Sequence, residues 1–238
     1  MMEAIQYLAL ERVGVGGPVD RVGYIAGLAR SKRIFDLGAL DETAYRKKQS
    51  NSRWLHAQLC AAASEVIGID NSSLLPDEGL VTAENGRIIR ADIFDLSPVV
   101  GRCWKPDMLV AGELIEHLPN TLDWLRSLKA NPDLEGVGLV FSTPNACSWY
   151  NGLIGLFKRE STHPDHLQIY SYKTLRTLFD RSGLRLDALV PYHVRFDEMR
   201  EDSRGLKRAA VVAFQAGVNT LESIAPLLSG GWIGVARI

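Results

Sequence analysis

The fold of this chain is decided by residues 108–118, which read Met108-Leu109-Val110-Ala111-Gly112-Glu113-Leu114-Ile115-Glu116-His117-Leu118. The stretch opens with an apolar run, and such runs are typical of strands covered on both faces of a parallel sheet. It then places Glu113, Glu116 and His117 at positions i, i+3 and i+4. If this segment is helical, all three side chains lie on one side of it, just past the carboxyl end of the strand.

Similar apolar runs recur along the chain, and helical patterns separate them. The runs are Arg33-Ile34-Phe35, Glu65 to Ile69, Arg87-Ile88-Ile89, Gly138 to Phe141, Leu184 to Leu189 and Trp232 to Ala236. Strands that alternate with helices, joined by right-handed crossovers, predict an α/β fold. We therefore expect a doubly wound, mostly parallel sheet with helices on both faces.

Residues of the types that cap helices predict three helices between these strands. Asn51 or Ser52 can cap a helix through Leu59, and Asn120 or Thr121 can cap one that Asn131-Pro132 ends. A third helix is predicted from Ser171 to Gly183, because a glycine without a side chain suits a left-handed C-terminal cap.

Four acidic residues follow the predicted strands. Asp36 ends the first strand, Asp70 ends the second, Asp92 comes just after the third, and Glu113 comes just after the fourth. The carboxyl edge of a doubly wound sheet is where such folds bind ligands. Two carboxylate oxygens at Asp70 can accept both hydroxyls of a ribose, and a carboxylate at Asp92 can accept from the exocyclic amine of adenine.

The motifs at these strand ends resemble those of a known family. Asp36-Leu37-Gly38, Gly68-Ile69-Asp70, Ala91-Asp92-Ile93, Gly112 to Leu118 and Ser142-Thr143-Pro144-Asn145 follow the order and spacing of class I S-adenosylmethionine-dependent methyltransferases. The likeness covers about residues 30–190. It is greatest to the branch of ubiquinone-type O-methyltransferases and of enzymes from surface-glycan and antibiotic clusters. Members of that branch often carry Trp-Leu-His and His-Pro-x-His, present here as Trp54-Leu55-His56 and His163 to His166.

This resemblance implies a seven-stranded Rossmann-like sheet in the order 3-2-1-4-5-7-6, with the last strand antiparallel. It also implies that S-adenosylmethionine binds at the carboxyl edge and leaves as S-adenosylhomocysteine. The residues that it implies for the cofactor are Asp36, Gly38, Ala39, Asp70, Asn71, Asp92, Ile93 and Glu113.

The glycine loop after the first strand departs from the family pattern. The family reads D-x-G-x-G-x-G, whereas this chain reads Asp36-Leu37-Gly38-Ala39-Leu40-Asp41-Glu42. Glycine lets a backbone approach a cofactor closely and adopt positive φ. We therefore expect Leu40 and Glu42 to turn outward. Cations that can pair with the methionine carboxylate lie in or near the following loop: Arg46, Lys47, Lys48 and Arg53.

Glu116 and His117 are the predicted catalytic residues, and three interpretations stand side by side. In the first, His117 is the general base that takes a proton from a substrate hydroxyl. In the second, Glu113, Glu116, His117 and His166 bind a divalent metal, as in the small-RNA 3′-terminal ribose methyltransferases that share Glu-x-x-Glu-His. Carboxylates with imidazoles suit Mn²⁺, Fe²⁺ or Zn²⁺ better than Mg²⁺. In the third, Glu116 caps or pairs with a neighbour and His117 only packs. A metal is not the favoured interpretation.

Composition indicates the cellular compartment and the classes of partner to expect. The chain has 238 residues, with 27 basic and 28 acidic side chains and three cysteines without C-x-x-C spacing. Balanced charge gives no general reason to bind nucleic acid, and scattered cysteines fit a reducing, cytoplasmic location. The longest apolar stretch, Ala209 to Phe214, is far below the roughly twenty residues that span a bilayer. We expect no membrane and no nucleic-acid partner; the oligomeric state stays open, with a homodimer as one option.

We expect one domain over residues 1–238. Residues 1–30 form an N-terminal helical extension, and residues 144–169 and 195–230 form insertions on the substrate side. The predicted function is transfer of a methyl group from S-adenosylmethionine to an oxygen of a small molecule, such as a sugar, a glycan precursor or a natural product. Two alternatives are a metal-dependent RNA ribose 2′-O-methyltransferase and a catalytically silent partner protein with a cofactor-binding fold. The departure in the glycine loop motivates the second alternative.

Overall fold

The computed structural model describes residues 12–40 and 54–238, which form one mixed sheet with helices on both of its faces. The strands are β1 (Arg33–Leu37), β2 (Glu65–Asp70), β3 (Leu80–Ala83), β4 (Gly86–Arg90), β5 (Met108–Gly112), β6 (Gly138–Pro144), β7 (Arg185–Tyr192) and β8 (Gly231–Arg237). The helices are α1 (Arg21–Leu28), α2 (Leu55–Ala62), α3 (Ser97–Arg102), α4 (Thr121–Ala130), α5 (Trp149–Leu156), α6 (Tyr172–Ser182), α7 (Asp197–Glu201) and α8 (Gly205–Ile224). Short 3₁₀ turns cover Ile115–His117, Pro132–Leu134 and Pro226–Leu228.

The sheet order is β3-β4-β2-β1-β5-β6-β8-β7. The five strands from β4 to β6 in this order pair in parallel, and β8 runs antiparallel to both β6 and β7. All seven predicted strands are present in the predicted relative order, which confirms the doubly wound α/β class and the antiparallel last strand.

The predicted strand count is one too low. The additional strand, β3, lies at the sheet edge, antiparallel to β4, and joins it through a tight connection. Its residues are exposed or half-buried, so Leu80–Ala83 does not form the continuous apolar run that marks strands covered on both faces. A short edge strand is therefore invisible to a search for such runs.

Two layers of helices cover the sheet. On one face, α4 and α6 pack Trp124, Leu125, Leu128, Leu175 and Phe179 against the strands. On the other face, α1 and α2 contribute Ile25, Ala29 and Leu59. Burial on both faces is the reason that the central strands are apolar throughout.

The predicted helix ends agree with the structure where they are described. The Asn120 side chain accepts from the backbone N–H of Asp123, and Ser171 and Thr174 form a reciprocal capping box. Gly183 adopts φ 78° in the left-handed region after α6. At α2 the N-cap is Trp54, without a side-chain bond; Asn51 and Ser52 lie outside the described residues.

The segments predicted as insertions leave the sheet near its carboxyl edge. Residues 144–169 contain α5 and a following loop, and residues 195–230 contain α7, α8 and a 3₁₀ turn. Of the predicted N-terminal extension, α1 is helical and packs on α2, whereas residues 1–11 lie outside the described part of the chain. In the part that is described, no helix has the length and apolar character needed to cross a bilayer.

Candidate functional site

The strand order reverses at β1, whose neighbours are β2 and β5, and this switch point is where a doubly wound sheet opens a ligand crevice. Two residues there adopt positive φ. Gly38 after β1 has φ 69°, and Glu113 after β5 has φ 52°, which is uncommon for a residue with a side chain. A Cβ at Gly38 would lie 2.9 Å from the Leu114 side chain, so the two loops approach closely.

Asp36 faces the protein interior. Its carboxylate is 3% exposed and lies 2.9 Å from Nδ1 of His56, whose Nε2 lies 2.8 Å from the Thr82 hydroxyl. Burial lowers the pKa of His56, but hydrogen bonds and charges from Asp36 and Cys60 outweigh this and raise the pKa to about 9. One oxygen of Asp36 thus holds His56, and the predicted contact from Asp36 to a cofactor stays a prediction.

Asp70 lies at the rim of the sheet and fixes the loop that follows β1. Its carboxylate accepts from the backbone N–H groups of Leu40 and Ser72, both at 2.9 Å. The expectation that Leu40 turns outward is wrong: Leu40 is 6% exposed and packs with Trp54, Leu75 and Ile88. Burying the leucyl side chain is favourable, and the bond to Asp70 holds the backbone in place.

Other predicted cofactor residues are placed at the same edge. The indole N–H of Trp54 donates to the Ala39 carbonyl at 2.9 Å. Asn71 and Asp92 are exposed, and the Asp92 carboxylate accepts from Phe94 N–H at 2.8 Å. Ile93 is half-buried, and its carbonyl accepts from Trp124. Glu42 and the cations predicted for the methionine carboxylate, Arg46, Lys47, Lys48 and Arg53, lie outside the described residues.

The residue types at this edge of the sheet suit a nucleoside cofactor. Exposed acceptors at Asn71 and Asp92 stand at the ends of β2 and β4, and the positive-φ turn at Gly38 ends the neighbouring strand β1. Hydroxyl and amine donors of a nucleoside need acceptors of this type.

Glu113 takes part in a cluster that sequence reasoning did not predict. Tyr192 donates its hydroxyl to the Glu113 carboxylate at 3.1 Å, and Ser142 donates to it at 2.7 Å. Arg21 donates to the Ser142 hydroxyl at 3.1 Å and lies 3.7 Å from Glu113. Burial first, and then the charge of Glu113, raises the pKa of Tyr192 well above its ordinary value.

The cluster explains why Glu113 does not join Glu116 as the predicted metal ligand. Its positive φ and its bonds to Ser142 and Tyr192 direct the carboxylate elsewhere. Arg21 comes from α1 and Tyr192 from the end of β7, so no local sequence pattern brings them to Glu113. Only the topology could have predicted this meeting.

Glu116 is fully buried, yet neither of its carboxylate oxygens has a hydrogen-bond partner among the described residues. Burial first, and then the nearby charge of Glu113, raises the pKa of Glu116 to about 8. Thr143 and the charge of Arg21 lower this pKa only in part, and the interpretation in which Glu116 caps or pairs with a neighbour stays a prediction. A buried, unpartnered carboxylate is costly and needs either a proton or a cation.

Two histidines lie next to Glu116. Ligand atoms of Glu116, His117 and His166 all lie within 4.8 Å of one another. The rings of His117 and His166 are 4.6 Å apart, edge to face. Burial, then the neighbouring His117 and His163, lower the pKa of His166, which favours the neutral, ligating form of its imidazole.

Hydrogen bonds hold this geometry in place. Nδ1 of His117 lies 3.1 Å from the carbonyl of Asp165, so Nδ1 donates there and Nε2 is the nitrogen left for another partner. The carbonyl of Glu116 accepts from the N–H groups of Leu167 and Gln168, at 2.8 and 3.2 Å. Backbone contacts thus attach the His166 loop to the turn that carries His117. Histidine ligands of metals are oriented in this way by a second hydrogen bond.

The structure therefore brings Glu116, His117 and His166 together, which are three of the four predicted metal-site residues. The Glu113 carboxylate lies outside this group. One carboxylate and two imidazoles form a donor set for Mn²⁺, Fe²⁺ or Zn²⁺. A free Nε2 at His117 also suits a general base, so the arrangement is compatible with both chemical interpretations.

Sequence comparisons give no match, either to a family model or to a curated protein. Solved structures do match through their fold. The small RNA methyltransferase HEN1 aligns with a TM-score of 0.55 at 14% identity, over 91% of this chain and 24% of that one. Magnesium protoporphyrin IX methyltransferase (ChlM) from Synechocystis PCC 6803, with bound SAH, aligns at 0.54 and 12% identity, over 91% and 81%. The methyltransferase domain of bacterial-CtHen1-CN aligns at 0.50 and 16% identity, over 92% and 98%.

The chain thus has the fold of the S-adenosylmethionine-dependent methyltransferases. At identities of this size a structural match establishes the fold alone, and function must be argued from the site.

Proposed function

We propose that this protein is an S-adenosylmethionine-dependent methyltransferase that methylates an oxygen of a small hydroxylated molecule, with a divalent cation bound by Glu116, His117 and His166. The observation that carries the proposal is the buried, unpartnered carboxylate of Glu116, which meets two imidazoles beside the carboxyl edge of a methyltransferase-type sheet.

The cofactor would be held at the switch point. Asp70, Asn71 and Asp92 offer acceptors to its nucleoside, and the turn at Gly38 lets the backbone approach it. Bound S-adenosylmethionine supplies an electrophilic methyl group on a sulfonium. ChlM, which shares the fold, was solved with SAH, the product of such a transfer.

Arg21 is a candidate for the amino-acid end of the cofactor. Its guanidinium lies near Gly112 at the end of β5, and only part of its N–H fork is used by Ser142. Guanidinium groups bind carboxylates in bidentate geometry. We assign this role to Arg21 because its guanidinium is a cation at the end of β5, beside the switch point of the sheet.

The catalytic work of the chain is to position the acceptor and remove its proton. Because Nδ1 of His117 faces the Asp165 carbonyl, Nε2 is the nitrogen that would ligate a cation or accept a proton. A cation at Glu116, His117 and His166 would lower the pKa of a bound hydroxyl as a Lewis acid. Orientation of donor and acceptor would supply much of the remaining rate enhancement.

The balance of charge favours a small acceptor over RNA. The chain carries 27 basic and 28 acidic side chains, so it lacks the excess of cations that phosphate contacts require. RNA ribose methylation is the second candidate, because HEN1 is a small RNA methyltransferase that shares the fold and this chain spans only 24% of it. A sugar or another polyol presents similar hydroxyls without the phosphates.

The test uses S-adenosylmethionine labelled in its methyl group. The full chain is incubated with sugars and polyols, or with short RNA, in Mn²⁺ or in a chelator. We expect label in small hydroxylated acceptors, with loss of transfer in the chelator and in His166→Ala. His163→Ala is the matched control, since His163 neighbours the cluster without belonging to the metal group.

Each other outcome identifies an alternative. Transfer to RNA alone would establish the ribose methyltransferase. Transfer to small acceptors that survives chelation but fails in His117→Ala would assign His117 as a metal-free general base. No transfer together with no cofactor binding would indicate a silent partner protein.

A further inference from the structure

Helix α8 turns polar side chains toward the protein. Gln215 accepts from Phe196 N–H and donates to the Val194 carbonyl, both at 2.8 Å. The fully buried Glu222 lies 2.8 Å from Nδ1 of His193 and accepts from Val194 N–H at 3.2 Å. The inward face of α8, marked by Val211, Gln215, Val218 and Glu222, is therefore partly polar and binds the segment that follows β7.

The outward face of the same helix is apolar. From residue 209 to residue 224, no exposed position of α8 carries a charge. Phe214, Leu221 and Ile224 are exposed, Ile224 by 78%, and Leu206 in the first turn is 92% exposed. A surface helix ordinarily shows the opposite arrangement, with its apolar side facing the core.

Helix α5 extends this surface. The Trp149 ring, at the start of α5, lies 6.3 Å from the Phe214 ring in α8. None of the α5 residues is buried, and Leu153, Leu156 and Phe157 are exposed, the last two by 80% and 71%. We call Leu153, Leu156, Phe157, Phe214, Leu221 and Ile224 the apolar face. Exposed large apolar side chains on two neighbouring helices are typical of an interaction site.

Exposed cations flank the apolar face. Lys158 and Arg159 follow α5, and Lys207 and Arg208 lie in the first turn of α8. None of these four forms an ion pair with a residue that the structure describes, whereas nearby Arg200 pairs with Asp197. Three exposed acidic residues, Glu160, Glu201 and Asp202, lie near these cations in sequence. The four cations beside the apolar face are available to anionic groups.

We propose that the apolar face docks on an anionic lipid surface, with α5 and α8 lying along the membrane interface. Apolar side chains would enter the boundary between headgroups and acyl chains, while Lys158, Arg159, Lys207 and Arg208 meet lipid phosphates. Anionic lipid satisfies both parts of the surface.

The expectation of no membrane partner rested on the length of apolar runs and on overall charge. Run length detects a spanning helix, whereas an interfacial helix needs only one apolar face. Docking on a lipid surface does not depend on methyl transfer, and its test needs neither cofactor nor acceptor.

The test is sedimentation of the full chain with vesicles. One set contains phosphatidylcholine alone, and the other equimolar phosphatidylcholine and phosphatidylglycerol. We expect binding to the anionic vesicles that weakens as salt rises. The double variant Phe157→Glu/Ile224→Glu should lose about tenfold or more in affinity. Each of Lys207→Glu and Arg208→Glu should lose about fivefold or more. Val81→Glu, an exposed apolar position on β3, is the matched control and should bind as the parent does.

Three results would overturn the proposal. One is the absence of the parent protein from anionic vesicles at low salt. Another is equal loss of binding in Val81→Glu and in the double variant. The last is a concentration-dependent dimer that Ile224→Glu dissociates, without vesicle binding, which would identify a second copy of the chain as the occupant.

Discussion

The backbone carbonyl of Glu116 accepts a hydrogen bond from the backbone N–H of Leu167 at 2.8 Å. The residue after His166 is therefore attached to the residue before His117, although the two histidines lie far apart in sequence. Because backbone groups make this contact, it remains when either histidine is substituted, although loss of His117 also removes the bond from its Nδ1 to the Asp165 carbonyl. Variants of the cluster can thus be interpreted through their side chains.

Metal binding is the first prediction. Mn²⁺ or Zn²⁺ should raise the melting temperature of the metal-free protein, because a ligand that binds the folded state stabilises it. The shift should disappear in His166→Ala and persist in His163→Ala, which calorimetry and thermal unfolding can measure. An equal shift in both variants would show that the cation binds elsewhere.

The Glu116 carboxylate should destabilise the metal-free protein when it is charged. Its pKa in the fold, about 8, lies above the ordinary value of 4.5, so the folded state holds the proton more tightly. Stability should therefore fall as pH rises from 4.5 toward 8. Glu116→Gln should be more stable than the parent above pH 8, by about 1–3 kcal/mol, and should not respond to Mn²⁺. Denaturant unfolding at several pH values measures this, and lower stability of the variant there would contradict it.

The ion pair between His56 and Asp36 makes the free energy of unfolding depend on pH in a second range. The pKa of His56 is about 9 in the fold against 6.5 in the unfolded chain. Its stabilisation is thus complete below pH 6.5 and is lost as pH rises through 9, with an upper limit of about 3 kcal/mol. In urea unfolding curves, Asp36→Asn should be destabilised near neutral pH and should show a flatter profile in this window. An unchanged profile would mean that His56 is neutral in the fold.

Arg21 should contribute to cofactor affinity. Arg21→Ala is expected to weaken S-adenosylmethionine binding by about 1–3 kcal/mol, the usual loss for a charge-assisted hydrogen bond. Arg30→Ala, an exposed cation just beyond the same helix, is the matched control. Equal affinities of the two variants would remove Arg21 from the cofactor site.

The sequence predicted those features that local patterns determine. Apolar runs located the central strands, and Ser171 and Gly183 marked the ends of α6 because cap chemistry is local. The Glu116, His117 and His166 group was also anticipated, since two of its members are adjacent in sequence and a motif supplied the third.

The contacts that the sequence did not predict join distant segments. Nothing in the strand of Asp36 indicates that His56 folds back onto it. Likewise, no local pattern indicates that Arg21 and Tyr192 approach Glu113. Leu40 was expected in solvent because the cluster that buries it is assembled from four separate segments.

Calorimetric titration of the full chain with S-adenosylmethionine tests the central claim most directly. Saturable binding is expected, with affinity reduced by about 1–3 kcal/mol in Asp70→Ala and nearly unchanged in His117→Ala. Neither heat nor thermal stabilisation at saturating S-adenosylmethionine would contradict the assignment as a methyltransferase.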